Sequence, residues 1–146
     1  MKLSALYQIF LDCQSVTTDS RNCPDGSLFI ALKGESFNGN AFAKLALDSG
    51  CAFAIIDEIQ YAIEGDQRYI LVDDCLQTMQ QLANYHRRQL GTRVIGITGT
   101  NGKTTTKELI SSVLCQAHNV LYTLGNLNNH IGVPTTLLRL KPEHDL

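Results

Sequence analysis

The first part of the chain alternates short apolar runs with stretches of helical periodicity. Residues 41–48 carry apolar side chains at helical spacing and end before Gly50, and residues 76–90 have the pattern of a longer amphipathic helix that ends before Gly91. Three apolar runs bounded by turn residues are typical of buried strands, at 28–32, 52–56 and 69–72. This alternation predicts an α/β fold with a parallel sheet.

A second alternating unit begins near residue 92. Residues 94–98 have the pattern of a buried strand, residues 104–116 that of a helix, residues 120–122 that of a strand, and residues 134–140 that of the start of another helix. A strand, helix and strand are too few to close a parallel sheet with helices on both faces. We therefore predict two domains, residues 1–91 and an incomplete domain over 92–146, and expect the chain to be the front portion of a longer protein.

Composition restricts the class of protein without naming a partner. The 146 residues include 12 basic and 14 acidic side chains, for a net charge of −2, and no block of like charge suits nucleic acid or an anionic membrane. The five cysteines are scattered, so neither a disulfide framework nor a zinc site is indicated. The N-terminus lacks the apolar core of a signal peptide, and we expect a cytoplasmic protein.

The strongest chemical signal is a glycine-rich loop between a predicted strand and a predicted helix, the context that a P-loop requires. Gly99 and Gly102 permit a tight turn whose N–H groups face phosphate oxygens. Lys103 would reach the β- and γ-phosphates of ATP, and the Thr104 hydroxyl would bind Mg²⁺, so both are predicted to be catalytic. The loop is a variant, because Ile97 stands where the general pattern has its first glycine; the alternative is a glycine turn with an exposed lysine. The predicted nucleotide-binding residues are Gly99, Thr100, Asn101, Gly102, Lys103, Thr104 and Thr105.

This loop resembles the ATP loop of the Mur ligases, the amide-forming enzymes of peptidoglycan precursor synthesis. The likeness rests on Thr-Gly-Thr-Asn-Gly-Lys-Thr-Thr at 98–105. Downstream, Gly-Asn-Leu-Asn-Asn-His-Ile-Gly-Val-Pro at 125–134 resembles the signature of the last ligase of the series. Thr-Asp-Ser-Arg at 18–21 and the segment 24–34 look like the UDP-sugar-binding domain of the last two ligases. The resemblance spans nearly the whole chain.

The resemblance implies that residues 1–91 bind the UDP-linked substrate and that residues 92–146 begin the central ATP-binding domain. It implies that ATP phosphorylates the terminal carboxylate of UDP-N-acetylmuramoyl-tripeptide and that the amine of D-alanyl-D-alanine then attacks the acyl phosphate. Neither nucleic acid nor a membrane is an expected partner, and the isolated chain is expected to be inactive. A uridine diphosphate needs a cation and N–H donors to bind its phosphates, and Arg21, Ser20 and Lys33 could supply them. The substrate-binding residues implied are Asp19, Ser20, Arg21, Lys33, Gly34, Asn126, Asn128, Asn129 and His130.

Other interpretations of these residues remain open. Residues 19–21 also suit a polar turn with a local ion pair, and the asparagines of 126–129 suit a turn that accepts left-handed conformations. Two positions depart from the family pattern: residues 38–40 are Asn-Gly-Asn where Asp-Gly-His is common, and His130 stands where an acidic residue is frequent. Alternatives for the whole chain are the preceding ligase, which adds a free amino acid, and a non-catalytic nucleotide-binding module. The Asn128-Asn129 pair argues against the former, and the lack of a visible guanine-reading motif gives the latter little support.

Overall fold

The computed structural model of the chain describes residues 2–125 and 127–146. It divides into two compact units, Met1–Leu82 and Ala83–Leu146. The functional boundary expected at residues 91 and 92 stays a prediction, since it concerns which residues bind which substrate. No helix in the described part of the chain combines the length and the apolar character needed to span a membrane.

The first unit is built on a parallel sheet of four strands in the order β1-β2-β3-β4. The strands are β1 Val16–Thr17, β2 Leu28–Ile30, β3 Phe53–Ile56 and β4 Tyr69–Leu71. Leu28 pairs with Phe53, and Ile55 pairs with Ile70. The three predicted strands and the mixed α/β class are confirmed, although each strand is shorter than its apolar run, and β1 had not been predicted.

Helices in this part of the chain bury apolar side chains that recur at helical spacing, and α2 packs against β2 and β3. They are α1 Leu3–Asp12, α2 Ala43–Asp48 and α3 Cys75–Leu90, with two short 3-10 turns at Gly39–Phe42 and Ile59–Tyr61. α2 and α3 confirm the two helices expected in this part of the chain. The core of the unit is tightly enclosed: β2 is fully buried along its length, and Met79 of α3 is not exposed at all.

The second unit contains helices α4 Lys103–Leu114 and α5 Gly132–Leu137, close to the predicted positions. The strands predicted at 94–98 and 120–122 are wrong: within the described residues, neither segment is assigned to a strand. Val94 and Ile95 are 55% and 51% exposed, so the run that looked like a buried strand lies open to solvent. A strand needs a neighbouring segment with which it forms a ladder of backbone hydrogen bonds. In the described part of the chain, segment 120–122 has one such bond, from the Leu121 N–H to the Leu146 carbonyl at 2.9 Å, and neither segment belongs to a ladder.

Candidate functional site

Polar side chains collect where β2 and β3 of the first unit end. Asp57 follows β3 directly, Lys33 follows the extension of β2, and Asn40 lies in the 3-10 turn that precedes α2. The carboxyl ends of parallel strands are the usual ligand edge of an α/β sheet. Lys33, the lysine predicted to bind substrate, therefore lies at this edge of the sheet.

Asp57 organises this edge, although sequence analysis had not selected it. Its carboxylate is 4% exposed and accepts hydrogen bonds from Asn40 Nδ2 at 2.8 Å and from the Cys75 backbone N–H at 3.2 Å. In return, Asn40 Oδ1 accepts from the Asp57 backbone N–H at 3.0 Å. Burial alone would raise the pKa of Asp57, but the bonds from Asn40, Cys75 and Lys33 outweigh it and hold that pKa below its usual value.

Lys33 is anchored by two carboxylates. Its ammonium lies 3.1 Å from Asp57 Oδ1 and 3.4 Å from Glu58 Oε1, and the hydrogen bond to Asp57 is the main reason that its pKa is raised. Its side chain is 47% exposed, so it faces solvent while it is paired. Gly34, predicted beside it, is fitted closely: a Cβ there would stand 2.3 Å from the ring of Phe37. The loop accepts only glycine at this position without rearrangement.

The turn Asp19-Ser20-Arg21 forms a separate cluster. Arg21 donates to both carboxylate oxygens of Asp19, at 2.9 and 2.8 Å, and these bonds lower the pKa of Asp19 to about 2. The carbonyl of Ser20 accepts from Cys23 Sγ at 3.4 Å. Arg21 itself is 86% exposed. The structure thus contains the local ion pair that a polar turn would have, and it leaves the guanidinium accessible to a ligand.

The glycine-rich loop of the second unit leads into α4. Gly102 caps this helix with φ +77, and Gly99 has φ +151, so both lie in the region that favours glycine. Lys103 Nζ donates to the Gly99 carbonyl at 2.5 Å, which folds the ammonium back over the loop. Thr100, Asn101, Thr104 and Thr105 are exposed beside it. The loop therefore places a cation and the start of a helix at one point.

A cavity of about 350 Å³ lies beside this loop. Lys103, Thr104 and Asn128 all line it, so two segments of the predicted site meet around one space. Lys107, which sequence analysis did not select, lines it too. No group of three or more histidine, cysteine or acidic side chains arranged to hold a metal occurs in the described residues.

The described part of the asparagine-rich segment precedes α5, which begins at Gly132. Asn129 Oδ1 accepts from the backbone N–H groups of Ile131 at 3.1 Å and Gly132 at 2.7 Å, so its side chain stabilises the turn that leads into the helix. Asn128 and His130 are exposed, whereas Asn126 lies outside the described residues. Asn129 therefore has a structural role. Asn128, rather than Asn129, lines the cavity.

Comparison with known families matches both parts of the chain. Residues 12–87 match the Mur ligase family catalytic domain, and residues 97–146 match the Mur ligase middle domain. Among curated proteins, the UDP-N-acetylmuramoyl-tripeptide--D-alanyl-D-alanine ligases of Bacillus subtilis and Escherichia coli are 47% and 44% identical. Those alignments cover 88% and 90% of this chain but only 28% of each relative.

Solved structures give the same picture. The UDP-N-acetylmuramoylalanyl-D-glutamyl-2,6-diaminopimelate--D-alanyl-D-alanyl ligase of Acinetobacter baumannii superposes with a TM-score of 0.85 at 35% identity, over 99% of this chain and 34% of that one. The MurF ligase of Thermotoga maritima in complex with ADP superposes with a TM-score of 0.80 at 31% identity, over 92% of this chain and 31% of that one. The chain thus spans about a third or less of the proteins that it matches.

Proposed function

The chain belongs to the Mur ligase family, and from that premise we propose that it is the N-terminal part of an ATP-dependent ligase that joins D-alanyl-D-alanine to UDP-N-acetylmuramoyl-tripeptide. The observation that carries the proposal is the glycine-rich loop, whose Lys103 and Thr104 line one cavity with Asn128 of the asparagine segment. The names of the curated relatives, at 44–47% identity, support the same substrates. The reaction would serve peptidoglycan precursor synthesis in the cytoplasm, where ATP is available.

In the proposed site, residues 92–146 begin the ATP-binding domain. Gly102 fits a phosphate, because its left-handed conformation opens the turn and a Cβ there would meet nothing within 4 Å. The loop N–H groups and the N-terminus of α4 would hold the phosphates. Lys103 would leave the Gly99 carbonyl for the γ-phosphate, since a charged oxygen is the stronger acceptor. The Thr104 hydroxyl would hold Mg²⁺, which would supply neutralisation of phosphate charge.

Residues 1–91 would bind the UDP-linked substrate. Arg21 suits a phosphate because its guanidinium is exposed and can bind two oxygens at once. Lys33 would add a second cation at the edge of the sheet, with Ser20 and Gly34 in the adjoining turns. Before the substrate binds, Asp19 would hold Arg21 in place through their paired hydrogen bonds, which the diphosphate would then replace.

The test is phosphate release by the full-length ligase that carries this sequence. We expect release to require ATP, Mg²⁺, UDP-N-acetylmuramoyl-tripeptide and D-alanyl-D-alanine, each omitted in turn. Release with a free amino acid and the UDP-dipeptide would identify the preceding ligase instead, and no substrate-dependent release would favour a nucleotide-binding module. The 146-residue chain alone is expected to be inactive.

A substitution tests the loop directly. Lys103→Met should reduce phosphate release by about a hundredfold or more, because it removes the cation that stabilises charge on the transferred phosphoryl group. The matched control is Lys141→Met, at an exposed lysine of the same unit. Equal rates for these two variants would refute the role of Lys103.

A further inference from the structure

Lys107 lies one helical turn after Lys103 on the same face of α4, and both side chains line the same cavity. Unlike Lys103, it is largely buried, with 12% of its side chain exposed. Its Nζ donates to the carbonyl of Thr123 at 2.5 Å and to that of Gly125 at 3.1 Å. These two carbonyls stand immediately before the asparagine segment.

The surroundings of Lys107 distinguish two possible roles. An ammonium group has three N–H donors. Glu108 Oε1 lies 2.9 Å from Nζ, so Thr123, Gly125 and Glu108 together provide one acceptor for each donor. The ring of Tyr122, 5.9 Å away, adds a cation–π contact. A lysine with all its donors engaged suits a support for the backbone better than a ligand for phosphate.

The backbone at Gly125 fits that support. Gly125 has φ +51, a left-handed conformation that bends the chain at one of the two residues whose carbonyls accept from Lys107. Asn128 follows this bend and reaches the cavity that Lys103 lines. The hydrogen bonds from Lys107 therefore connect α4, which begins at the glycine-rich loop, to the turn at Gly125, three residues before Asn128 in the sequence.

We propose that Lys107 is a positioning residue of the ligase: it holds residues 123–125 against α4 and thereby sets the place of Asn128 relative to Lys103. The inference rests on the proposed function, because it assigns Lys107 to the same reaction. A catalytic group displaced by about 1 Å can cost up to about a hundredfold in rate. Loss of Lys107 should thus affect turnover although it touches no substrate.

The test compares three variants of the full-length ligase. Lys107→Met keeps most of the apolar stem and removes the donors, Lys107→Arg keeps the charge and the donors, and Lys141→Met is the control at an exposed lysine. We expect Lys107→Met to lower kcat by about tenfold or more, Lys107→Arg to recover at least about a third of the wild-type rate, and the control to stay within twofold. The amides of Leu121 and Leu127, which donate to the carbonyls of Leu146 and Leu124, should also exchange hydrogen faster in Lys107→Met.

Two results would overturn the inference. One is a Lys107→Met enzyme with wild-type kcat and KM; the other is a variant that loses thermal stability but keeps its kinetic constants once folded, which indicates a merely structural lysine. Failure of the proposed function looks different, because then the wild-type enzyme itself lacks substrate-dependent phosphate release. In that case the role of Lys107 in the reaction fails together with the proposed function. In an active enzyme, unchanged exchange at Leu121 and Leu127 in Lys107→Met would refute the support of residues 123–125 alone.

Discussion

Removal of the Asp57 carboxylate should destabilise the first unit far more than removal of an exposed acid. Asp57→Ala deprives the Cys75 N–H at the start of α3 of its acceptor and Asn40 Nδ2 of one of two acceptors, and it takes from Lys33 its nearer partner. Hydrogen bonds to a charged group contribute about 1.5–3 kcal/mol, and an anion at a helix N-terminus about 0.3–1 kcal/mol. Because Asn40 and Lys33 keep a second partner each, we expect a loss of about 2–4 kcal/mol.

The matched control is Asp48→Ala. The side chain of Asp48 is 53% exposed, and Asp48 pairs with Lys44, one turn away on α2. Such a pair contributes about 0.3–0.5 kcal/mol to stability. Urea denaturation followed by circular dichroism gives the free energy of unfolding, and hydrogen exchange of the β3 amides assigns the transition to the first unit. A loss for Asp57→Ala no larger than that for Asp48→Ala would refute the central role of Asp57.

The same variant has a predicted pH dependence. The pKa of Asp57 is lowered in the folded chain, so its contribution is present above the unfolded value of about 3.9 and is lost as pH falls through the folded value. The stability difference between wild type and Asp57→Ala should therefore be constant from about pH 5 to pH 7 and shrink below about pH 4. A difference that stays constant down to pH 2 would contradict the ionised state of this carboxylate.

Two further outcomes follow from close packing and from burial. Gly39→Ala should lower the free energy of unfolding, measured by urea denaturation, by about 1–3 kcal/mol, because its Cβ would stand 2.3 Å from the Leu32 carbonyl oxygen. The control Gly96→Ala, whose Cβ meets nothing within 4 Å, should change it by less than about 0.5 kcal/mol. In the native chain, iodoacetamide should label exposed Cys115 at least about tenfold faster than Cys75, since burial and the Asp57 charge raise the pKa of Cys75 to about 12. Mass spectrometry of timed samples measures both labelling rates. Equal rates would refute this explanation.

The first unit could be predicted because its strands are runs of apolar residues with turn residues at both ends. β2 and β3 are buried on both faces, which is what an uninterrupted apolar run indicates. β1 could not be predicted in this way, because it has only two residues and owes its existence to pairing with β2. A strand of that length is defined by its neighbour and not by its own pattern.

The second unit shows the limit of the same reasoning. The run 94–98 has an apolar pattern much like that of β3, yet Val94 and Ile95 are about half exposed. An apolar run shows that burial would be favourable, but it says nothing about whether a neighbouring strand exists to pair with. The strand prediction at 94–98 was therefore wrong because hydrophobicity alone does not supply the backbone hydrogen-bond partners that a strand needs.

Sequence motifs selected most residues of the candidate site, but they did not predict the contacts between those residues and their partners. Lys33, Arg21 and Lys103 were chosen for their charge within recognisable segments. Asp57 and Lys107 were not selected because Asn40 and Cys75, and Thr123 and Gly125, are distant from them in sequence, and a single acid or lysine has no characteristic spacing. For Asp57 a usable signal existed, since an acid directly after a buried parallel strand lies at the edge where ligands and helix N-termini meet.

The partners of the three predicted cations imply how readily each of them can turn to the phosphate ligand proposed for its own unit. Lys103 is bonded to a neutral carbonyl, so exchange for a charged phosphate oxygen is favourable. Arg21 is 86% exposed and paired with an exposed carboxylate, so its ion pair contributes little and is easily replaced. Lys33 instead serves buried Asp57, and its complete removal from that carboxylate would cost stability. In the proposed function, the diphosphate would therefore share Lys33 with Asp57 from the solvent side and would replace Asp19 as the partner of Arg21.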